Sequence, residues 1–295
     1  MHRKLLSSLV GCSLLFAMAF PADTALAASG YKMVRLTYDS KAVISAGKNR
    51  FKIKKDKIYI VSKDNKSKKT PMNYMAFIAG STDAVYIKSG TLYRYTYKTG
   101  KSSKLHKFPM GKKLQYGYAN DYSIGGVVGN KVYINCTDET DETDAMISKY
   151  VLIYDLKSGS VTRSAKSRYI SDSADGYGVA LESTANDPSP YSIFLYKLTG
   201  TGMTFIKKFT DNGHEGHIVG KKVYYFDDTT KAYSLKEYDI NSKKTKTIKS
   251  IKKKTRYDFF YGGEMTDSYA VINTGVYQYK VTYKNGKTVK SRRGY

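Results

Sequence analysis

Apolar and polar residues alternate along short stretches of this chain, and each stretch ends in a cluster of Lys, Asn or Gly. The clearest stretches are 92–100 (LYRYTYKTG), 151–159 (VLIYDLKSG), 194–200, 235–243 and 279–286. A period of two residues is typical of a β-strand with one buried face, and the Lys/Asn/Gly cluster predicts a reversal of the chain. Shorter alternating stretches precede and follow each of these, so the chain is predicted to be all-β.

The alternating stretches recur at a nearly constant interval. Tyr154 and Tyr196 are 42 residues apart, Tyr196 and Tyr238 are another 42 apart, and Val281 follows after 43. Four short strands in about 42 residues match the size of one β-propeller blade. A four-stranded blade cannot bury both faces alone, but blades stacked around a ring can. We therefore predict a β-propeller of four-stranded blades.

One interval is longer than the others. Tyr95 and Tyr154 are 59 residues apart, and the excess falls on the acidic stretch 138–144 (DETDETD). We interpret this stretch as a loop insertion between two strands of one repeat. Carboxylate oxygens are ligands for a hard cation such as Ca²⁺, but the stretch lacks the alternating ligands and the central Gly of an EF-hand loop. A solvated loop on a basic protein is the simpler interpretation.

The number of blades is less clear than the blade itself. Five repeats are legible from about Tyr74 to the C-terminus, and 31–73 is a weaker copy that contains Lys57–Val61 (KIYIV). This weaker copy could form a sixth blade, or its strands could complete the last blade and close the ring. Six blades are preferred, with five or seven as alternatives. A pair of β-sandwiches would explain the strands and turns, but not the period.

The first 27 residues have the features of a secretory signal peptide. Arg3 and Lys4 precede the apolar stretch 5–20, and 25–27 (ALA) is a small-x-small cleavage site. We expect residues 1–27 to be removed and 28–295 to form a single propeller domain that is secreted or held at the cell surface. Residues 9–12 (LVGC) resemble a lipobox, so lipidation of Cys12 is the alternative. No later stretch has the roughly 20 apolar residues of a membrane helix, which predicts no transmembrane span in the mature chain.

The composition is rich in tyrosine and lysine. There are 29 Tyr, 11 Phe and no Trp, and 50 Lys and Arg oppose 25 Asp and Glu, a net charge of +25. Large β-formers suit the packing between blades, so the tyrosines are predicted to be mostly core. The charge favours an anionic partner such as a cell-wall polymer or an acidic glycan. Export and the excess of Lys over Arg argue against nucleic acid. Cys136 is expected to be a small buried hydrophobe.

The strand openings carry a family resemblance. Residues 223–227 (VYYFD) have an apolar-Tyr-aromatic-x-Asp pattern that resembles the repeats of the LDL-receptor-type YWTD propeller and, more closely, bacterial extracellular propeller domains of the DUF5050 type. The resemblance covers the mature chain, although the Trp of the YWTD motif is absent. It implies six blades and the binding of a ligand or protein partner. It supplies no catalytic residues.

No linear motif predicts a catalytic or metal site. His214-Glu215-Gly216-His217 has a histidine spacing of three, whereas H-E-x-x-H zinc sites need four on a helix. Residues 211–213 (DNG) predict a turn, which would place both histidines in a loop between strands. We therefore predict no catalytic residue, no metal ligand and no cofactor, and no ligand-binding residue can be named.

The sequence leaves two functions open. The preferred one is a non-enzymatic, exported binding or scaffold module. The alternative is a propeller enzyme acting on extracellular glycans or peptides, with acid and base residues supplied by different blades. Carboxylates that converge in the central channel, or His214 and His217 meeting an acid there, would favour the enzyme. A channel lined by Tyr, Lys and small residues would argue against it.

Overall fold

The computed structural model describes residues 30–35, 43–46, 48–54, 57–72, 76–113, 120–140, 143–165, 168–183, 191–253 and 260–292. Regular structure in these residues is β-strand throughout, which confirms the all-β prediction. Within the same residues, no helix is long and apolar enough to cross a membrane. The predicted signal peptide and Cys12 lie outside the described residues, so both stay predictions.

The first half of the chain forms three antiparallel sheets. β1 (Lys32–Arg35) is followed by a sheet of β2 (Ile44–Ala46), β3 (Asn49–Lys54), β4 (Lys57–Val61) and β5 (Ser67–Lys69). The second sheet contains β6 (Ala76–Ala79), β7 (Asp83–Lys88), β8 (Thr91–Thr96) and β9 (Lys101–Lys107), and β1 pairs with β6 as its fifth strand. The third contains β10 (Asp121–Val128), β11 (Lys131–Thr140), β12 (Thr143–Asp155) and β13 (Val161–Arg163).

The second half forms a seven-stranded sheet and a final four-stranded one. The seven strands are β14 (Tyr169–Ala174), β15 (Tyr177–Ser183), β16 (Tyr191–Thr199), β17 (Gly202–Val219), β18 (Lys222–Asp228), β19 (Ala232–Asp239) and β20 (Thr245–Lys252). The last sheet contains β21 (Phe260–Met265), β22 (Tyr269–Thr274), β23 (Tyr277–Thr282) and β24 (Thr288–Arg292). Within each sheet the strands follow chain order, as the repeat predicts.

The strand β17 joins two four-stranded units into one sheet. Residues 202–213 pair with β16, and 213–219 pair with β18, so that Gly213 pairs with both, and register shifts occur along both ladders. The turn predicted at 211–213 is therefore wrong, because the backbone passes through these residues as an irregular strand from one unit into the next. Divided here, β2–β24 group into six units of four strands. The six-bladed ring stays a prediction, because β14–β20 form one continuous sheet.

The first strands of the second to sixth units lie next to one another at the centre of the propeller. β6 contacts β10, β10 contacts β14, β14 contacts β17, and β17 contacts β21. Such contacts between the leading strands of neighbouring sheets are what a radial arrangement of blades produces. β1 contacts β2, β10 and β14 besides pairing with β6. The segment ending at Arg35 therefore also lies among the innermost strands.

The core lies between neighbouring units. Five apolar clusters each join one unit to the next along the chain. Tyrosine is prominent in all of them, which confirms that tyrosine serves mainly as packing between blades. Tyr133, for example, is fully buried between the third and fourth units, and its hydroxyl donates to the carbonyl oxygen of Gly202 at 2.9 Å. Cys136 is also fully buried, as expected for a small apolar side chain.

The acidic insertion lengthens a hairpin. β11 and β12 have 10 and 13 residues, and Thr140 pairs with Thr143 near the tip. The insertion therefore lies between two strands of one repeat, as predicted, but its flanks are paired strand rather than loop. The side chains of 138–147 lie outside the described residues, so cation binding by 138–144 is untested.

Candidate functional site

The two histidines of β17 point to different partners. His217 Nδ1 lies 2.5 Å from Asp172 Oδ2 in β14, and His217 Nε2 lies 3.1 Å from Asp267 Oδ1, just after β21. His214 Nε2 instead lies 3.1 Å from Asp228 Oδ2 in β18. The irregular register of β17 places these side chains apart. Among the described residues, no group of three His, Cys, Asp or Glu is arranged to hold a metal ion.

Asp172 links the fourth unit to the fifth. The register of β14 shifts between Ile170 and Asp172. The Asp172 carboxylate accepts from the Ile218 N–H at 2.9 Å in addition to contacting His217. Its side chain is only 6% exposed. Burial opposes ionisation of this carboxyl, but His217, Arg35 and the Ile218 N–H hold its pKa below the usual range.

The same contact keeps His217 protonated. Burial alone would lower the pKa of this imidazole, but the carboxylates of Asp172 and Asp267 outweigh burial and raise it to about 9. His217 is therefore a cation at neutral pH. A protonated histidine held between two carboxylates positions both of them, but it is a poor general base until the pH approaches its pKa.

Glu215 lies beside this pair. Burial raises the pKa of its carboxyl to about 7, and the charges of Arg35, His217, Glu264 and Asp172 all act on it. No described residue forms a hydrogen bond or ion pair with Glu215. Glu215 is half-buried, and without a partner to offset desolvation its charged form is disfavoured. Glu215 therefore changes protonation state near neutral pH.

Two further polar atoms in this region are buried without a hydrogen-bond partner. They are Nε of Arg35, in the central strand β1, and the hydroxyl oxygen of Tyr283, which follows β23. The Tyr283 ring stacks on Tyr224 with centroids 3.7 Å apart. Burial raises the pKa of the Tyr283 hydroxyl, and the nearby charges of Asp267, Glu215 and Asp172 raise it further. Tyr283 therefore stays a neutral phenol that can both donate and accept.

Together these residues form what we call the axial cluster: Arg35, Asp172, Glu215, His217, Glu264, Asp267 and Tyr283. The cluster contains four carboxyl groups, one guanidinium and one imidazolium, of which Asp172 and Asp267 contact His217 directly. The convergence of carboxylates with His217 is the arrangement that favours the enzymatic alternative, whereas His214 does not take part. The sequence singled out Glu215 and His217 but missed the other members, which come from strands far apart in the chain. The one available signal was Asp172, an isolated acid among small and apolar residues in 169–174 (YISDSA).

No protein-family model and no curated protein matches the chain. Among solved structures it is similar to the tricorn protease, with 10% identity and a TM-score of 0.47 over 85% of this chain and 31% of that chain. It is also similar to TolB from Acinetobacter baumannii, with 12% identity and a TM-score of 0.42 over 89% of this chain and 63% of that chain. A third similar structure is the acylaminoacyl peptidase of Pyrococcus horikoshii, with 11% identity and a TM-score of 0.48 over 84% of this chain and 43% of that chain. The chain spans less than two thirds of each of these proteins.

Charge is segregated between the inside and the outside of the propeller. The first strands of the six units contain no Lys or Arg, and they carry Asp121, Asp172, Glu215 and Glu264. The inner strand β1 is the exception, because it carries Lys32 and Arg35. The fourth strands, with β17 counted up to Gly213 where its pairing with β16 ends, contain thirteen basic residues and one acid, Asp211. We call these the outer rim: Lys68, Lys69, Lys101, Lys104, Lys107, Arg163, Lys207, Lys208, Lys246, Lys249, Lys252, Lys290 and Arg292.

The outer rim is exposed and largely without counter-charge. Most positions of β5, β9, β20 and β24 are open to solvent. Among the described carboxylates, only those of Asp211 and Glu237 lie within ion-pair distance of a rim cation, pairing with Lys208 and Lys246. Lysines on edge strands also prevent edge-to-edge pairing with other chains. The rim is therefore a source of positive potential on the outer strands.

Proposed function

We propose that this protein acts outside the cytoplasm as a non-enzymatic binding module that holds an anionic polymer, such as a cell-wall polymer or an acidic glycan, against its outer rim. The observation that carries the proposal is the excess of thirteen basic residues over one acid on the fourth strands. A polymer with regularly spaced anions can contact several strands at once. Many weak contacts on one chain then add up to useful affinity.

The rim suits a polymer better than a small anion. Its cations stand on separate strands around the ring, rather than converging on one pocket. Lysine is a compact, flexible point charge, which tolerates variable anion spacing better than the rigid fork of arginine. Eleven of the thirteen rim residues are lysine. This arrangement favours attachment along a flexible polyanion over recognition of one shaped group.

The proposal is tested with residues 28–295 and a synthetic poly(glycerol phosphate), with neutral dextran as the reference polymer. The variant K246Q/K249Q/K252Q removes three rim charges from β20. Losing three exposed ion pairs with the polymer, at roughly 0.5 kcal/mol each, should raise the dissociation constant about tenfold. Binding should also weaken steeply with added salt, since exposed charges are screened.

The matched control is K63Q/K231Q/K284Q, which removes the same charge from exposed turn positions away from the fourth strands. This control should keep most of the affinity. Equal losses in both variants would show that net charge, rather than the rim, attracts the polymer. Binding that resists high salt would contradict the electrostatic mechanism. In cells, a high-salt wash should release the protein from the envelope.

A second candidate function, an enzyme acting on extracellular glycans or peptides, is favoured by one observation. Glu215 has a pKa of about 7 and lies beside His217 and two further carboxylates. A carboxyl that titrates near the working pH is suited to general acid or base catalysis. Cell-wall glycan and peptide fragments should then be hydrolysed by the wild type and not by E215Q. Equal activity of both proteins would rule out this role for Glu215.

A further inference from the structure

One aromatic ring is presented to solvent on a fourth strand. Phe205 is 50% exposed, and it is the only exposed Phe or Tyr among the described residues. It lies in the part of β17 that pairs with β16 as the outer strand of its unit. The neighbouring Ile206 is also exposed, and Lys207 and Lys208 of the outer rim follow directly. An exposed apolar pair therefore adjoins two cations on the same edge strand.

Buried rings support Phe205 from below. Its centroid lies 5.9 Å from the Tyr196 centroid and 6.5 Å from the Phe194 centroid, and the ring planes meet at steep angles of 69° and 63°. Tyr196 and Phe194 are both buried. Among the described residues, no ring stacks parallel to Phe205 and no cation lies over it. The open half of this side chain is therefore held in place and accessible to a ligand.

Two cations border the same buried ring. Arg168 Cζ lies 3.8 Å from the Phe194 centroid, and Lys208 Nζ lies 5.7 Å from it. Each cation pairs with a carboxylate that is itself open to solvent, Arg168 with Glu182 and Lys208 with Asp211. Exposed ion pairs contribute little to stability, so both cations can exchange their own carboxylate for an acid group of a ligand.

The exposed apolar area matches one small ring rather than a protein partner. A Phe side chain offers about 200 Å², so the open half of Phe205 is roughly 100 Å². A stable protein interface needs about 800 Å² from each partner. One face of a sugar ring carries C–H groups that pack against an aromatic ring, and it is of the required size. An acid group on that sugar or the next can reach Lys207 or Lys208.

We propose that the anionic polymer held by the outer rim is an acidic polysaccharide, and that one of its sugar rings stacks on Phe205. This rests on the proposed function, because the rim cations supply the attraction to the polymer. Phe205 adds what charge alone lacks, a preference for polyanions built of sugar rings. Covering about half of its open area should change the dissociation constant roughly tenfold.

The test measures binding of residues 28–295 to two polyanions of matched length and charge concentration, polygalacturonate and the ringless poly(glycerol phosphate). We expect the wild type to bind polygalacturonate about tenfold more tightly. F205A should remove this preference and leave poly(glycerol phosphate) binding unchanged, which also shows that the variant is folded. F205Y keeps a ring and should keep the preference. The matched control is V276A, which truncates an exposed apolar side chain in the turn before β23 and should bind as the wild type does.

A spectroscopic readout is available because the chain contains no Trp. F205W places a single fluorescent reporter at the site. Its emission should shift to shorter wavelength with polygalacturonate and not with poly(glycerol phosphate), whereas V276W should respond to neither. A shift with protein concentration alone would indicate self-association through this ring and would overturn the proposal.

The outcomes separate this proposal from the function on which it rests. Equal affinity of the wild type for the two polyanions, or an equal loss for both in F205A, would overturn stacking on Phe205 and leave the polyanion-binding rim standing. Binding of neither polyanion would overturn both proposals. Binding of neutral dextran as tight as that of polygalacturonate would contradict the role of the cations.

Discussion

Replacing Asp172 by Asn tests whether a buried ion pair holds the fourth and fifth units together. The substitution keeps the shape of the side chain and an oxygen that can accept a hydrogen bond from the Ile218 N–H. In the wild type, the Ile218 nitrogen lies 2.9 Å from Asp172 Oδ2. It removes the charge that faces His217 Nδ1 at 2.5 Å. Breaking a buried ion pair by removing one partner typically costs about 3–5 kcal/mol.

The pH dependence of the destabilisation identifies the Asp172–His217 pair as its source. The pKa of His217 is raised from 6.5 to about 9, and this difference corresponds to about 3 kcal/mol. A raised histidine pKa stabilises the folded state fully below pH 6.5, and the contribution is lost as the pH rises through 9. The loss of unfolding free energy in D172N should therefore be largest near pH 6 and smaller by about 3 kcal/mol near pH 10.

Urea unfolding followed by circular dichroism at pH 6, 8 and 10 measures this difference. Comparing D172N with the wild type at each pH cancels the titration of groups common to both. D64N is the control: its carboxyl is exposed and ionised throughout this range, so its effect should be small and constant. A loss in D172N that does not change with pH would show that the Asp172–His217 pair does not carry the stabilisation, and would refute the reasoning.

Three further predictions concern the same central region. E215Q should raise the unfolding free energy by up to about 3 kcal/mol at pH 8 and hardly at all at pH 4. The reason is that a carboxyl whose pKa is raised from 4.5 to about 7 destabilises the folded state only once it is ionised. Urea denaturation at both pH values measures the difference, and equal effects at the two pH values would contradict it. N135A should cost about 2–4 kcal/mol, since the buried Asn135 amide exchanges two 2.9 Å hydrogen bonds with the Ile170 backbone of the next unit. Half-buried Asn273, which accepts one exposed hydrogen bond from Gln278, is the control position, and an equal loss in N273A would be the contrary result. G213A should cost about 1–3 kcal/mol through overpacking, because an added Cβ would lie 2.2 Å from Ile193 Cδ1; an unchanged thermal midpoint would show that β17 moves freely.

The strands were predictable because their pattern is local. The alternation at Leu92 and at Val151, with the turns that follow, required only neighbouring residues to decide it. β17 was mispredicted for the same reason. Residues 211–213 have turn composition, but the backbone is held extended by pairing to β16 before them and β18 after them. Tertiary pairing overrode the local preference.

The weak first repeat also needed the structure. From sequence, 31–73 could have been a blade of its own or strands that complete the last blade. β2–β5 pair with one another and not with β21–β24. β1 separates from them and pairs with β6. Strand partners depend on hydrogen bonds between distant segments, which the period of a single strand does not encode.

The sequence by itself determined the strand repeat, the tyrosine core and the overall basic charge. These properties follow from residue type and from the two-residue period of a strand, so they do not depend on which strands pair with one another. Only the tertiary structure decided that basic residues face outward on the fourth strands and that Asp172, Glu215 and His217 meet Arg35 and Tyr283 at the centre. Each of these residues is unremarkable in its own segment. Closing strands around an axis brings them together. Burial raises the pKa values of Glu215 and Tyr283, whereas the Asp172–His217 contact outweighs burial and lowers the pKa of Asp172 while raising that of His217.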